Sequence, residues 1–319
     1  MTATREQRLE QALYRGSVLT LESPEYLQMV RTFTEALLHV DLTPKDSTVE
    51  ALGIRGEPAA AIIVAGEDGV AAGLDEVAFM LRRFGVQVTL EARDGDIVER
   101  GRTVLRAEGE RTKLLSLERV GLNLLQRMSG IATATRCLQG RARNRCASTR
   151  IVATRKTPWG LLDKRAVHLG KGGTHRLGLG DAIVIKNNHL ALIAHDEEQA
   201  APLAIARAWS FRRDAAFIEV EVRGAAAALA AAKTFRRLQD EVVERYPCLL
   251  MLDNMRTEDI RSILDALRRE NLWDDILIEA SGGISETNVE AYAASGVDAI
   301  SIGALTHSPR ALDFSQRIS

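Results

Sequence analysis

The chain has 319 residues, long enough for two average domains and for burying roughly three quarters of the surface its unfolded form exposes. With 46% hydrophobic and 27% charged residues, and 42 Lys/Arg against 43 Asp/Glu, it has the balance of an ordinary globular protein, which excludes a disordered chain or a general nucleic-acid coat. Seven Phe, three Trp and four Tyr leave little for base stacking, and three cysteines without C-x-x-C spacing exclude a disulfide framework and a structural zinc site.

Cys137, Cys146 and Cys248 fit a reducing, cytoplasmic setting. The opening residues are charged with no apolar stretch behind them, and no run approaches the ~20 apolar residues of a membrane span, so neither export nor membrane insertion is expected. Over residues 1–40, Leu9, Ala12 and Leu13, then Tyr26, Leu27, Val30, Phe33, Ala36 and Leu37, recur at helical spacing and predict two or more amphipathic helices that pack or bridge. Residues 59–108 change to short apolar runs at 60–64 and 86–90 around a helix-like stretch at 75–84, the pattern of a small α+β domain. Within it, Gly95-Asp96-Ile97-Val98-Glu99-Arg100-Gly101-Arg102-Thr103-Val104 has the spacing of a tight β hairpin. Lipoyl and biotin carriers use similar hairpins, but their modifiable lysine is missing, so a scaffold role is preferred.

Residues 113–140 predict a long helix broken at Ser129-Gly130. Six β-rich runs follow, at 151–153, 182–185, 217–222, 249–252, 276–278 and 299–302, each separated by room for a crossover helix. The expected fold is α/β, with an N-terminal α+β sandwich domain at 1–117 and an incomplete, about six-stranded parallel α/β barrel at 118–306. The tail at 307–319 is a candidate to pack back on the first domain.

In α/β barrels the C-terminal strand ends form the active-site face. Here those ends carry Thr154-Arg155-Lys156, Lys186, Glu219 and Glu221, Asp253-Asn254, Ser281-Gly282-Gly283 and Gly303-Ala304. Residues 145–186 hold nine Lys/Arg against two acids, Asp163 and Asp181. A solvated basic face explains Lys164 and Arg165, whereas Arg155, Lys156 and Lys186 sit where strand ends converge and call for a multiply anionic substrate. The late glycines, with helices starting after them, make a phosphate seat. Glu221 and Asp253, on consecutive strands, suit sugar hydroxyls or a divalent cation; the plainer alternative is that Glu219 or Glu221 pairs with a neighbouring Arg or Lys. His189 reads as structural.

Thr154-Arg155-Lys156-Thr157, Gly172-Gly173-Thr174-His175-Arg176-Leu177 and Ile185-Lys186-Asn187-Asn188-His189 resemble the words of quinolinate phosphoribosyltransferases. So do Glu118-Arg119-Val120-Gly121-Leu122-Asn123, Ser129-Gly130-Ile131-Ala132-Thr133, Glu219-Val220-Glu221-Val222, Leu252-Asp253-Asn254, Ser281-Gly282-Gly283-Ile284 and Gly303-Ala304-Leu305-Thr306-His307-Ser308, all in family order from about residue 41 onwards. The resemblance implies transfer of the phosphoribosyl group of 5-phosphoribosyl-1-pyrophosphate to quinolinate, giving nicotinate mononucleotide, pyrophosphate and CO2, with Mg2+ accompanying the donor. It implies an anionic pocket of Arg119, Thr154, Arg155, Lys156, His175, Arg176 and Lys186. Lys156, Lys186, Glu221 and Asp253 would be the catalytic set, with Glu221 and Asp253 also on the ribose and on Mg2+, directly or through water. Ser281, Gly282, Gly283, Gly303, Ala304 and His307 would hold phosphates. A homodimer is implied, Arg119 crossing the interface, with no nucleic-acid or membrane partner.

The chain departs from the family where Thr-x-Pro-Gly-Leu-Arg becomes Thr157-Pro158-Trp159-Gly160-Leu161-Leu162-Asp163. The triple glycine becomes Gly170-Lys171-Gly172-Gly173, and an Asp becomes Asn187. A paralogue with another acceptor, a non-catalytic nucleotide-sensing barrel and a Schiff-base aldolase using Lys186 are the competing readings; the cationic setting of Lys186 disfavours the last.

Overall fold

The computed structural model describes residues 3–42 and 45–318, so Met1, Thr2 and Ser319, at the ends of the expected domains, lie outside the described residues. Its strands are β1 (Pro58–Ala65), β2 (Gly69–Val70), β3 (Gln87–Leu90), β4 (Ile97–Val98), β5 (Thr103–Glu110), β6 (Arg150–Val152), β7 (Ile183–Ile185), β8 (Ile218–Val222), β9 (Cys248–Asp253), β10 (Leu277–Ser281), β11 (Ala299–Ser301) and β12 (Phe314–Ile318). Two compact units interleave along the chain. One takes the stretch ending at Arg15 with Cys137–Lys156 and Gly172–Ala304; the other takes Gly16–Arg136, Thr157–Lys171 and the stretch from Leu305. The division thus differs from a single boundary after residue 117, because the first helix packs with the parallel strands.

In the first unit six parallel strands run in the order β6-β11-β10-β9-β8-β7, with β6 and β7 as edges. Gly173 adds a single parallel bridge to Val152. A Cβ on Gly173 would stand 2.7 Å from Val152 Cγ1 and 3.1 Å from the Leu13 carbonyl, so only glycine allows this approach. Val152 and Val184, from the two edges, share one core cluster with Ala182, Phe217, Leu249, Leu277 and Ala299, which makes the sheet an open barrel. The helix Arg5–Leu13 closes the end where the strands begin. Its Leu9, Ala12 and Leu13 enter that cluster, while Arg5 donates to Asp298 Oδ1 at 2.6 Å and to the Trp273 carbonyl at 2.6 Å.

In the second unit an antiparallel sheet runs β12-β1-β5-β3, so the C-terminal strand pairs with β1. The expected hairpin is not one: β4 pairs with β2, and β5 pairs with β1 and β3. Gly95 and Gly101, at φ 92° and 90°, turn the chain out of a two-strand register. Nor does Ser129-Gly130 break its helix, which runs unbroken over Glu118–Arg145. Ser129 Oγ instead pins both backbone groups of Ala72, and a Cβ on Gly130 would sit 1.9 Å from the Arg310 carbonyl, so this pair marks close packing. Lys164 and Arg165 are buried rather than solvated. Arg165 is held by Asp75 (2.8 Å), Glu76 (2.7 Å) and Asp94 (3.0 Å), which supply the counter-charge a buried guanidinium requires.

Candidate active site

Strand periodicity builds the site. The ladder registers put Phe217, Glu219 and Glu221 of the β8 run on the same face as Leu249, Met251 and Asp253, and as Leu277, Glu279 and Ser281. Ala299 and Ser301, Val152, and Ala182 and Val184 continue that inward face. Successive inward positions therefore climb from an apolar floor through a buried His/Glu layer to a polar mouth. The next inward steps are Thr154, Lys186, Glu221, Asp253, Ser281 and Gly303, one from each strand run.

At the mouth, Lys186 Nζ donates to Glu221 Oε2 at 2.9 Å. Arg223 bridges onward, 3.9 Å from Glu221 Oε1 and 3.5 Å from Asp253 Oδ2, which also accepts from Asn254 Nδ2 at 2.9 Å. Each acid therefore gives one oxygen to the shortest of these contacts. Arg223 and Ser301, which donates to Ser281 Oγ at 2.9 Å, were not foreseen, although Arg223 directly follows the Glu219–Val222 word. Thr154 Oγ1 accepts from the Lys156 amide at 3.1 Å and sets the turn carrying the exposed Arg155 and Lys156. His189 Nδ1 accepts the Lys186 amide at 2.9 Å, a structural task.

Gly282 and Gly283 stand at φ 91° and 61°, successive left-handed residues in the turn after β10. A Cβ on Gly282 would lie 2.4 Å from Asn254 Oδ1. The expected helix does not start there: it begins at Val289, whereas Ala304–His307 follows Gly303 at once.

His175 and Arg176 lie in the same unit. His175 Nε2 sits 3.1 Å from Glu219 Oε2 and 3.3 Å from Glu279 Oε2, both acids fully buried. Its Nδ1 accepts the Arg176 amide at 2.9 Å. Burial opposes a proton on the imidazole, but Glu279 and Glu219 outweigh it and push His175 up to about 9. Burial, aided by Glu279, pushes Glu219 up as well. Arg176 is buried, and its Nη1 donates to the Ala182 carbonyl at 3.4 Å; burial and the neighbouring Arg155 lower its pKa. Glu219 and Asp181 act the other way and favour its charge. Arg119 and His307 belong to the other unit, both exposed there.

Residues 46–129 match the family model described as quinolinate phosphoribosyl transferase, N-terminal domain, and residues 131–317 match the C-terminal domain of the same description. The chain belongs to the quinolinate phosphoribosyltransferase family. A probable nicotinate-nucleotide pyrophosphorylase (carboxylating) of Methanothermobacter thermautotrophicus is 39% identical, covering 88% of this chain and 96% of that protein. The nicotinate-nucleotide pyrophosphorylase (carboxylating) of Mycobacterium leprae is 36% identical over 86% and 92%. The solved structure of NadC from Streptococcus pyogenes superposes with a TM-score of 0.77 at 32% identity, covering 92% of this chain and 97% of that one.

The altered family loop is well anchored within the second unit. Asp163 takes Arg127 through both oxygens, at 2.9 and 3.0 Å, and the Trp159 amide at 3.1 Å, while the Trp159 ring has Arg127 4.9 Å from its centroid and the Phe33 ring at 5.1 Å, tilted by 54°.

Proposed function

We propose that the protein transfers the phosphoribosyl group of 5-phosphoribosyl-1-pyrophosphate to quinolinate with loss of CO2, giving nicotinate mononucleotide and pyrophosphate. The observation that carries this reading is the polar mouth itself: Arg155, Lys156, Arg176 and Lys186 on one side, Glu221 and Asp253 between, and the Ser281–Gly283 and Gly303 backbone beyond. Four cations match an acceptor with two carboxylates and a departing pyrophosphate. Glu221 and Asp253 suit ribose hydroxyls. Ser281, Gly282, Gly283, Gly303 and Ala304 suit the 5-phosphate.

When bound with the donor, Mg2+ would supply positive charge to the pyrophosphate. Glu221 and Asp253 would be the residues to hold that ion, directly or through its water shell, with one oxygen of each already engaged by Lys186 or by Arg223 and Asn254. As the C1–oxygen bond loosens, positive charge builds on the ribose; preorganised carboxylates facing it and cations facing the pyrophosphate lower the barrier electrostatically. Bonding of the acceptor nitrogen to C1 turns its ring into a pyridinium, which accepts the electron pair left by the adjacent carboxylate as CO2 departs; a proton then replaces it at that carbon.

Calorimetric titration tests the pocket. Wild-type protein should bind quinolinate more tightly than nicotinate, which has one carboxylate, and Lys156→Ala should weaken quinolinate by about 10- to 150-fold, the loss of one charged hydrogen bond. Unchanged affinity in a folded variant would remove Lys156 from the site.

A homodimer with Arg119 lent across the interface belongs to the same reading, supported by the exposure of Arg119 on the helix Glu118–Arg145. Mixing Arg119→Ala with Lys156→Ala, assayed at quinolinate well below the wild-type KM where each variant alone is nearly silent, should then restore activity to about a quarter of wild type, because half the dimers are mixed and each holds one intact site. Additive inactivity after subunit exchange would show that no residue is shared. A cytoplasmic location is proposed from the free thiols; no helix among the described residues is long and apolar enough to cross a membrane.

A further inference from the structure

The end of the parallel sheet where the strands begin, opposite the mouth, holds a second concavity. Gln11 of the helix Arg5–Leu13, Arg212 and Arg213 from the turn before β8, and Arg245 and Tyr246 from the segment leading into β9 line a cleft of about 580 Å3, within the ~300–1,000 Å3 of small-molecule sites. Pro247 lines it too and directly precedes β9, so the length of that strand, about 20 Å, separates the cleft from Asp253 at the mouth. No residue assigned to quinolinate or to the phosphoribosyl donor lines it.

Cations dominate this end. Trp209 holds Arg212 in place: its ring centroid lies 4.8 Å from the guanidinium and its carbonyl accepts from Nη1 at 2.9 Å, which leaves Nε and Nη2 for a ligand. Arg213 is exposed, with no hydrogen bond or ion pair among the described residues, while Arg245 pairs with Asp275. One turn before Gln11, the buried Arg8 donates from Nη2 to the Asp274 carbonyl at 2.8 Å, but its Nε and Nη1 have no acceptor. Burial, with Arg5 and Arg245 alongside, lowers its pKa, although Asp298 and Asp274 favour its charge. Two acids share the cleft: Glu241 stands 3.6 Å from Arg237, and Glu244 has no partner among the described residues. Tyr246 donates its hydroxyl to the Ala215 carbonyl and stands edge-on to Trp209 at 5.9 Å, so it offers an oriented ring rather than a donor.

We propose that this cleft binds a nucleoside phosphate, with Arg212 and Arg213 on the phosphate, the Tyr246 ring and Val242 against the base, and Glu244 accepting from the ribose hydroxyls. Unpaired guanidiniums around a concavity, with a half-satisfied buried arginine beside it, favour an anion there. A bare phosphate would use the cations but leave the ring, the carboxylate and most of the volume without a partner. The site stands independently of the quinolinate reading, because it is read by affinity alone.

Calorimetric titration of the intact chain with the common ribonucleoside 5′-monophosphates, the matching nucleosides and inorganic phosphate tests it. At least one monophosphate should bind, with its nucleoside and inorganic phosphate each weaker by about tenfold or more. Arg213→Ser should weaken that nucleotide by about tenfold or more, and Arg212→Ser/Arg213→Ser by about 100-fold, each with the wild-type urea midpoint, whereas Lys156→Ala should bind it as the wild type does. Three results would overturn the proposal: no binding of any monophosphate, inorganic phosphate binding as tightly as the nucleotide, or affinity that survives Arg212→Ser/Arg213→Ser. If that surviving affinity is lost in Lys156→Ala, the nucleotide sits at the mouth instead.

Discussion

Arg176→Met is expected to remove most turnover of quinolinate while leaving the protein at least as stable as before. The guanidinium is buried, its hydrogen bond among the described residues is a 3.4 Å contact to the Ala182 carbonyl, and burial and Arg155 disfavour its charge more than Glu219 and Asp181 favour it. A buried cation held so loosely costs stability in the empty protein, and a methionine of similar length fills the space without that cost. When the doubly charged acceptor arrives, the same cation gains a charged hydrogen bond, of order 1.5–3 kcal/mol or more if it is bidentate. kcat/KM for quinolinate should therefore fall by about 100-fold, with the urea midpoint unchanged or raised by up to ~1 kcal/mol of stability. Large destabilisation with normal kinetics in the surviving fold would make Arg176 a scaffold residue.

Arg165→Met should do the reverse. Arg165 is also buried, but Asp75, Glu76 and Asp94 surround it and it donates to the Leu19 carbonyl. Glu76 has no exposure and accepts a second bond from Tyr26 at 2.6 Å, so without Arg165 two buried carboxyls lose their counter-charge. Breaking such a pair costs about 3–5 kcal/mol, roughly 10 °C in melting temperature. The sign of the pH dependence follows from Asp94. Burial, with Glu76 adding to it, raises Asp94 from 3.8 to about 7, and burial raises Glu76 too. A carboxyl with a raised folded pKa contributes stability below its unfolded pKa and loses that contribution as pH rises through the folded value. Wild-type stability should therefore decline between about pH 4 and 7 from this group. Without Arg165 both carboxyls rise further, so the variant's deficit should be larger at pH 8 than at pH 5. A deficit that shrinks at pH 8 would contradict this account.

The two arginines mark what the sequence reveals and what it conceals. Period-two alternation along Phe217–Glu221, Leu249–Asp253 and Leu277–Ser281 already lines the mouth residues up on one face, which is why the strand ends and their chemistry were legible. Glu279 carried the same signal two residues before Ser281, and only its remoteness from the strand end hid it. Arg165 and Lys164 looked like solvent-facing charge because the acids that neutralise Arg165 lie about 70 to 90 residues away in sequence, at Asp75, Glu76 and Asp94. Ser129-Gly130 looked like a helix break for the same reason: the Ala72 backbone and Arg310 carbonyl that require a small pair are distant in sequence. The helix Arg5–Leu13 was predicted from its periodicity, but nothing local to it shows that its apolar face closes the floor of the parallel sheet.

The most direct measurement of the central claim is the stoichiometry of turnover: purified protein, 5-phosphoribosyl-1-pyrophosphate and Mg2+, with quinolinate or nicotinate in separate reactions, following nucleotide and CO2 together. The cation-lined mouth predicts nicotinate mononucleotide and CO2 in equal amounts from quinolinate, and negligible nucleotide from nicotinate. Nucleotide from nicotinate without CO2, or no product from quinolinate with folded protein, would contradict it.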